Sequence, residues 1–131
     1  MGALLLDTTV VIDLLRGRPG AAARLRERHH VGDAPHVCAI TVEETVRGLR
    51  EAERAGARRL FAGLRIAPLG EEAGWRAGEW RREHASRGTT LAQADCLIAA
   101  AALSIGGRLA TGNPADFPMP ELTVEHWRAG E

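Results

Sequence analysis

Short apolar runs alternate along the chain with longer amphipathic segments. The apolar runs predict strands at Ala3–Leu6, 36–40, 65–69 and 108–111, and the segment 122–127 could add a fifth. The amphipathic segments predict helices at 9–16, 21–29, 41–48, 51–63, 71–87 and 93–105. Strands that alternate with helices in this way predict an α/β fold with a central, mainly parallel sheet of four to five strands.

Two of the predicted helices carry distinctive patterns. The helix at 93–105 contains four consecutive alanines, Ala99–Ala102, and is apolar on all sides, so we expect it to be buried against the sheet. The helix at 71–87 places Ala73, Ala77, Trp80 and His84 on one face, whereas Trp75 lies off this stripe. We therefore expect one tryptophan to be exposed or to lie in an interface.

Composition limits the class of protein. The 131 residues correspond to one domain spanning 1–131, and 45% hydrophobic with 26% charged residues is typical of a globular protein. Apolar stretches are too short for a membrane span, and Asp7 and Asp13 interrupt the apolar N-terminus, which is therefore unlike a signal peptide. Two cysteines make no disulfide framework, which favours a cytoplasmic location. Zero net charge excludes general, nonspecific nucleic-acid binding.

Four acidic residues stand where a predicted strand gives way to a helix. They are Asp7, Glu44, Asp95 and Asp116. Because functional crevices of parallel sheets lie beyond the carboxyl ends of the strands, we expect these four carboxylates at one edge of the sheet. Taken singly, each could instead cap a helix. Thr41 and Glu44 have the spacing of a capping box. Asn113 before Pro114, with Asp116 following, has the pattern of a capped helix start.

The four acids together favour a metal site. Asp7 follows an entirely apolar strand, where an unpaired carboxylate is costly to bury. Carboxylates that share one crevice repel each other and raise each other's pKa, and a divalent cation removes that repulsion. Ligands that are all oxygen select Mg²⁺ or Mn²⁺, and two such ions can orient water and stabilise the leaving oxygen of a phosphodiester.

Four segments carry a resemblance to a known family. They read Leu-Leu-Asp-Thr-Thr-Val-Val-Ile-Asp-Leu-Leu, Ile-Thr-Val-Glu-Glu-Thr-Val-Arg-Gly, Ala-Asp-Cys-Leu-Ile-Ala-Ala and Leu-Ala-Thr-Gly-Asn-Pro-Ala-Asp-Phe. In this order and spacing the chain resembles the PIN-domain ribonucleases, and closely the VapC toxins of bacterial type II toxin–antitoxin pairs. The resemblance implies a three-layer PIN-like fold, a Mg²⁺-dependent endoribonuclease activity on RNA, a VapB-like antitoxin partner and a homodimer.

The same resemblance assigns roles to individual residues. It implies that Asp7, Glu44, Asp95 and Asp116 form the catalytic, metal-binding quartet. It implies further that Thr9, Thr111 and Asn113 orient the quartet. Thr9 departs from the pattern, because the family usually has Asn or Ser at that position, and its shorter hydroxyl reach bears on how the acids are oriented.

Arginine supplies every basic group, since the chain contains no lysine. Arg16 and Arg47 lie on the predicted helices that follow Asp7 and Glu44, so they are candidates for contact with RNA phosphates. The spacing of Glu43 and Arg47 also predicts a surface ion pair on one helix.

Two other function classes remain open. A PIN-like fold that binds a partner without catalysis would keep the same elements. A phospho-aspartate signalling domain would also place acids at strand ends, but the absence of lysine counts against it.

Overall fold

A computed structural model describes residues 2–131. Over these residues the chain forms five strands, six α-helices and two short 3-10 turns. The strands are β1 (Ala3–Leu6), β2 (Ala34–Cys38), β3 (Arg65–Ala67), β4 (Arg108–Thr111) and β5 (Val124–His126). The helices are α1 (Thr8–Leu15), α2 (Pro19–His30), α3 (Ala39–Arg47), α4 (Arg54–Ala62), α5 (Glu71–Ser86) and α6 (Gln93–Ser104). The 3-10 turns are Glu51–Glu53 and Pro114–Asp116.

The strands form one sheet with the order β3-β2-β1-β4-β5, and every pairing is parallel. The predicted α/β class is therefore confirmed, and the tail segment does supply the fifth strand. Parallel pairing brings the carboxyl ends of all five strands to one edge, with β1 at the centre.

Alternation of side chains along β1 divides the core into two layers. Leu5 faces a cluster beneath α5 and α6, whereas Leu4 and Leu6 face a cluster formed with α1 to α4. The three-layer arrangement follows from this alternation, because each face of the sheet is covered by its own set of helices. The predicted burial of Ala99–Ala102 in α6 is confirmed, since all four are fully buried.

Packing of α6 onto the sheet depends on a sharp turn at its end. Gly106 adopts a positive φ of 63°, and Gly107 lies so close to β1 that an added Cβ would stand 2.7 Å from the carbonyl oxygen of Ala3. Only glycine fits both positions without strain. None of the helices within residues 2–131 has the length and apolar character needed to cross a membrane.

The second predicted strand was wrong at both ends. It was expected at 36–40 but spans Ala34–Cys38, and α3 begins at Ala39 rather than at Thr41. The apolar Ile40 belongs to the first turn of α3, where it packs against the core from the helix instead of from the sheet. A short apolar run alone does not distinguish these two arrangements.

Candidate active site

Asp7 lies at the centre of the edge formed by the carboxyl ends of the strands. It follows β1, its backbone N–H donates to the carbonyl of Ala110 in β4 at 2.9 Å, and it is only 5% exposed. Its carboxylate Oδ2 accepts hydrogen bonds from the hydroxyls of Thr111, at 2.6 Å, and Thr9, at 3.1 Å. Thr9 also accepts a bond from the backbone N–H of Gly112 at 2.9 Å. The orientation of Asp7 is thus set by two hydroxyls from different elements.

Glu44 reaches the same edge from α3. The hydroxyl of Thr8, the first residue of α1, donates to Glu44 Oε1 at 2.6 Å and also lies 3.2 Å from the hydroxyl of Thr41. The capping-box alternative for Thr41 and Glu44 is wrong, because α3 begins two residues earlier and Thr41 is fully buried within it. Thr8 was not singled out from the sequence, although the adjacent threonines after Asp7 were visible there, and Thr41 was considered only as a helix cap.

Asp95 and Asp116 come from the other side of the edge. Asp95 lies half-buried in the first turn of α6, and Asp116 ends the exposed 3-10 turn after β4. The side-chain amide of Asn113 donates to Asp116 Oδ2 at 2.8 Å, and its backbone N–H donates to Thr111 Oγ1 at 3.0 Å. Asn113 makes no side-chain cap, so its role in the structure is to connect Asp116 with the Thr111–Asp7 pair.

Electrostatics show that the four carboxylates share one environment. Burial, followed by the negative charges of Asp116, Asp7 and Glu44, raises the pKa of Asp95 to about 6. Burial also raises the pKa of Asp7, and the charge of Glu44 adds to the rise. The hydrogen bonds that Asp7 receives from Thr111, the Thr8 amide and Thr9 act in the opposite direction. Among residues 2–131, no arginine or histidine forms an ion pair with any of the four acids.

The four carboxylates are the kind of ligand that a hard divalent cation prefers, but among residues 2–131 they are not gathered closely around one point. All four ligand candidates offer carboxylate oxygens, and nothing in the described part of the chain donates a hydrogen bond to Asp95. In residues 2–131, however, no three His, Cys, Asp or Glu side chains already lie close enough together to hold an ion. A cation bound at this edge would have to draw the carboxylates toward itself. Their negative charge, which no cationic side chain in residues 2–131 balances, would attract the cation and so favour that movement.

The two arginines that are candidates for contact with RNA phosphates differ in whether their guanidinium groups are already paired. Arg47 is exposed on α3, where its guanidinium donates to both carboxylate oxygens of Glu43 at 3.0 and 3.1 Å. The ion pair predicted between these two residues is therefore confirmed, and it occupies the guanidinium. Arg16 is exposed at the C-terminal end of α1.

Asp13, to which no role was assigned from the sequence, is buried and binds the C-terminal segment of the chain. Its Oδ2 accepts a bond from the backbone N–H of Gly130 at 2.8 Å. The carbonyl of Glu131 accepts a further bond from Gly20 at 2.9 Å. Asp13 therefore anchors residues after β5 on α1 and α2, away from the four-acid cluster.

Comparisons with known proteins complete the description. A family model described as the PIN domain matches residues 4–118. Ribonuclease VapC19 of Mycobacterium tuberculosis is 33% identical over 119 residues, which cover 90% of this chain and 95% of that protein. Ribonuclease VapC10 of the same organism is 34% identical over 118 residues, covering 90% and 88%. The structure of VapBC2 from Rickettsia felis, bound to a DNA fragment from its promoter, superposes with a TM-score of 0.85. It is 20% identical, covers 95% of this chain and 98% of its own, and shows likeness of fold.

Proposed function

The chain belongs to the PIN-domain family, as its four motifs predicted, and we propose that it is a divalent-metal-dependent endoribonuclease of the VapC type. Its relatives are named ribonucleases, and its structural neighbours are VapBC toxin–antitoxin proteins. The proposed substrate is RNA, and the proposed partner is a VapB-like antitoxin. The family likeness is the only support for RNA over DNA, because hydrolysis of this kind does not require the 2′-hydroxyl.

One observation carries the proposal. The pKa of Asp95 is raised to about 6, and the charges of Asp116, Asp7 and Glu44 all contribute to that rise. Carboxylates from four separate stretches of the chain therefore act on one another across one edge of the sheet. Such unbalanced negative charge is expected at a site that binds a cation.

We assign the four acids to metal binding, with Mg²⁺ as the ion and Mn²⁺ as a possible substitute. When bound, the ion supplies an activated water and stabilises the charge that develops on the phosphate. Asp7, held by Thr9 and Thr111, is the fixed ligand, because two hydroxyls prevent its carboxylate from turning. Asp95 has no hydrogen-bonding partner in the described residues and is the ligand most free to move.

The remaining two acids are held by one donor each. Thr8 orients Glu44, and Asn113 orients Asp116. Arg16 is exposed and is proposed to contact an RNA phosphate, since a guanidinium binds phosphate through two parallel hydrogen bonds. Arg47 can do the same only if it exchanges its pairing with Glu43 for the phosphate.

A catalytically inactive binding module is the second candidate, and one observation favours it. No three metal-ligating side chains in residues 2–131 are already gathered around a common point. A protein that never binds a cation would have no need to gather them. The two candidates make opposite predictions for metal binding and for cleavage.

The deciding experiment measures cleavage of total RNA by the purified chain with Mg²⁺, with Mn²⁺ and with EDTA. We expect cleavage with either ion, none with EDTA, and loss of cleavage in Asp7→Asn and Asp95→Asn. Calorimetric titration with Mg²⁺ and thermal unfolding of both variants distinguish a lost site from a lost fold. Metal-independent cleavage, or metal-dependent cleavage that persists at the wild-type rate in both variants, would contradict the assignment of the site.

A further inference from the structure

The segment that follows β5 returns to α1, and we call its residues 127–131 the strap. At one end of the strap, the backbone N–H of Trp127 donates to the carbonyl of Thr111 at 2.9 Å, and Trp127 is buried. Near the other end, the backbone N–H of Gly130 donates to Asp13 Oδ2 at 2.8 Å. The strap therefore connects the last residue of β4 with α1.

Between these two contacts the strap packs directly on Gly112. A Cβ added at Gly112 would stand 3.0 Å from the Cβ of Ala129 and 3.2 Å from the carbonyl oxygen of Trp127. A side chain at position 112 would therefore push the strap away, and glycine permits the close approach. The backbone N–H of Gly112 donates to the hydroxyl of Thr9 at 2.9 Å. The strap thus lies against the residue that joins the end of β4 to Thr9.

The contacts of the strap and of Thr9 form a closed loop. Thr9 and Asp13 are four positions apart in α1, so they lie one turn apart on the same face of the helix. Thr9 is bonded to Gly112, and Asp13 is bonded to Gly130. Because Ala129 packs on Gly112, these two bonds belong to one ring of contacts. Helix α1 can move away from the end of β4 only when both bonds break.

The same two elements supply the hydroxyls that orient Asp7. Thr9 of α1 donates to Asp7 Oδ2 at 3.1 Å, and Thr111 of β4 donates to it at 2.6 Å. A donor that stands about 3.6 Å from its acceptor no longer forms a hydrogen bond. A shift of α1 by about 0.5 Å away from β4 would therefore lose the Thr9 bond. The orientation of Asp7 depends on the separation that the strap maintains.

Burial of Asp13 is explained by its bond to the strap. A buried carboxylate is costly unless hydrogen bonds compensate it, and within residues 2–131 no cationic side chain forms an ion pair with Asp13. The backbone N–H of Gly130 provides the compensation. Gly130 has a positive φ of 80°, which glycine adopts without strain.

We propose that Asp13 is a positioning residue for Asp7 that acts through the strap. It holds α1 against the end of β4, so that the hydroxyls of Thr9 and Thr111 meet on one carboxylate oxygen. Asp13 itself lies away from the four acids and touches none of the groups that would bind metal. The consequence for metal binding rests on the proposed function, whereas the geometry of the two hydroxyls does not.

NMR chemical shifts of the metal-free chain at one pH provide the first test, because native-state shifts do not depend on global stability. Asp13→Ala removes the acceptor of the Gly130 N–H. The Gly112 amide proton should then shift upfield as its bond to Thr9 is lost, and the side-chain carboxyl carbon of Asp7 should shift with it. Unchanged shifts at both groups in a folded Asp13→Ala overturn the proposal.

Two control variants separate positioning from a general loss of stability. Asp13→Asn keeps an oxygen that can accept from the Gly130 N–H, so the Gly112 and Asp7 signals should stay at their wild-type positions. Ala77→Gly weakens α5, which is remote from the strap, and should also leave both signals in place. Movement of the two signals in Ala77→Gly as large as in Asp13→Ala overturns the proposal.

The ring of contacts can also be disturbed from its other side. Gly112→Ala should displace Ala129 and move the Gly130 amide proton upfield, because its bond to Asp13 is weakened. Adding Ala129→Gly removes the nearest atom and should return the Gly130 signal toward its wild-type position. This pair decides the question if circular dichroism shows that Asp13→Ala does not fold. A Gly130 signal that Gly112→Ala leaves unmoved overturns the proposal.

Calorimetric titration with Mg²⁺ tests the consequence for the site. Asp13→Ala should raise the dissociation constant about threefold to tenfold, whereas Asp13→Asn and Ala77→Gly should leave it unchanged. An unchanged constant in Asp13→Ala overturns the role of Asp13 at the metal site. A wild-type chain that binds no Mg²⁺ overturns the proposed function instead, and the chemical shifts, which need no metal, still decide whether Asp13 positions the hydroxyls.

Discussion

Thr111 and Asp7 are 104 positions apart in the chain, yet the hydroxyl of Thr111 donates to Asp7 Oδ2 at 2.6 Å in the buried part of the four-acid cluster. The closeness of these two residues follows from the parallel pairing of β1 with β4, in which Leu6 lies opposite Ala110. Asp7, the residue that follows β1, and Thr111, the last residue of β4, are thereby placed side by side. The same hydroxyl accepts a bond from the Asn113 amide, so it connects Asp7 to the segment that carries Asp116.

Replacing Thr111 with Val should destabilise the protein by about 1–3 kcal/mol, because a nearly isosteric side chain leaves the Asn113 backbone N–H without its acceptor and leaves Asp7 with only one of its two hydroxyl donors, that of Thr9. It should also weaken Mg²⁺ binding, since the Asp7 carboxylate is then held by the Thr9 hydroxyl alone. Urea unfolding and calorimetric titration measure the two effects.

Thr45→Val is the matched control for that substitution. Thr45 is also buried, but its Oγ1 has no hydrogen-bonding partner among residues 2–131. The same change should there alter the free energy of unfolding by less than about 0.5 kcal/mol or increase it. Equal losses in the two variants would show that the Thr111 bond contributes no specific stability.

Adjacent glutamates on α3 should behave differently. Glu44→Gln keeps a side-chain oxygen for Thr8 but removes a charge from the cluster, so we expect metal-dependent cleavage to fall about a hundredfold or more. Glu43→Gln alters only the exposed pair with Arg47 and should change cleavage by less than about threefold. Initial rates on one RNA, at saturating Mg²⁺, distinguish them, and a larger loss in Glu43→Gln would reverse the assignment.

The raised pKa of Asp95 predicts a pH dependence of stability in EDTA. Its folded-state pKa is about 6, above the ordinary value of 3.8, so the folded protein binds a proton more tightly than the unfolded chain does. The contribution of this group to stability therefore falls as pH rises from about 4 to 6, and above that range Asp95 is ionised in the folded protein and its full destabilising contribution is present. Asp7, whose pKa is also raised, contributes in the same direction.

Asp95→Asn should accordingly make the metal-free protein more stable at about pH 8 and flatten the pH profile of urea unfolding. Mg²⁺ should stabilise the wild type more at about pH 8 than at about pH 5, because protons and the cation compete for the same oxygens. Loss of stability in Asp95→Asn at the higher pH, without metal, would contradict this electrostatic account.

Two glycine substitutions should have opposite signs. Gly107→Ala brings a Cβ to 2.7 Å from the Ala3 carbonyl oxygen and should cost about 1–3 kcal/mol, since strand backbone cannot easily move away. Gly56→Ala, in α4, meets only the end of the Arg59 side chain at 3.8 Å and should stabilise by about 0.5–1 kcal/mol. Thermal unfolding of both variants tests the distinction, and a stabilised Gly107→Ala would contradict the close approach.

Sequence patterns predicted the elements whose periodicity is set within the element itself. The strand at Arg108–Thr111 was predicted at its exact bounds, and the buried face of α5 was read correctly from the spacing of Ala73, Ala77, Trp80 and His84. The boundary between β2 and α3 was misplaced because Ile40 is apolar in either setting. The misplaced boundary mattered for the candidate site, because the capping-box alternative for Thr41 and Glu44 depended on a helix that begins at Thr41.

By itself the sequence determined the alternation of strands and helices, the position of Asp7 directly after a strand and the family to which the chain belongs, because these depend on local periodicity and on ordered motifs. Only the tertiary structure decided which hydroxyl holds which carboxylate, that Thr8 serves Glu44, and that Asp95 has no donor in the described residues. Those contacts join residues that the sequence separates by tens of positions, and they are fixed by the register of parallel strands and the packing of helices on them. No local pattern along the chain records that register.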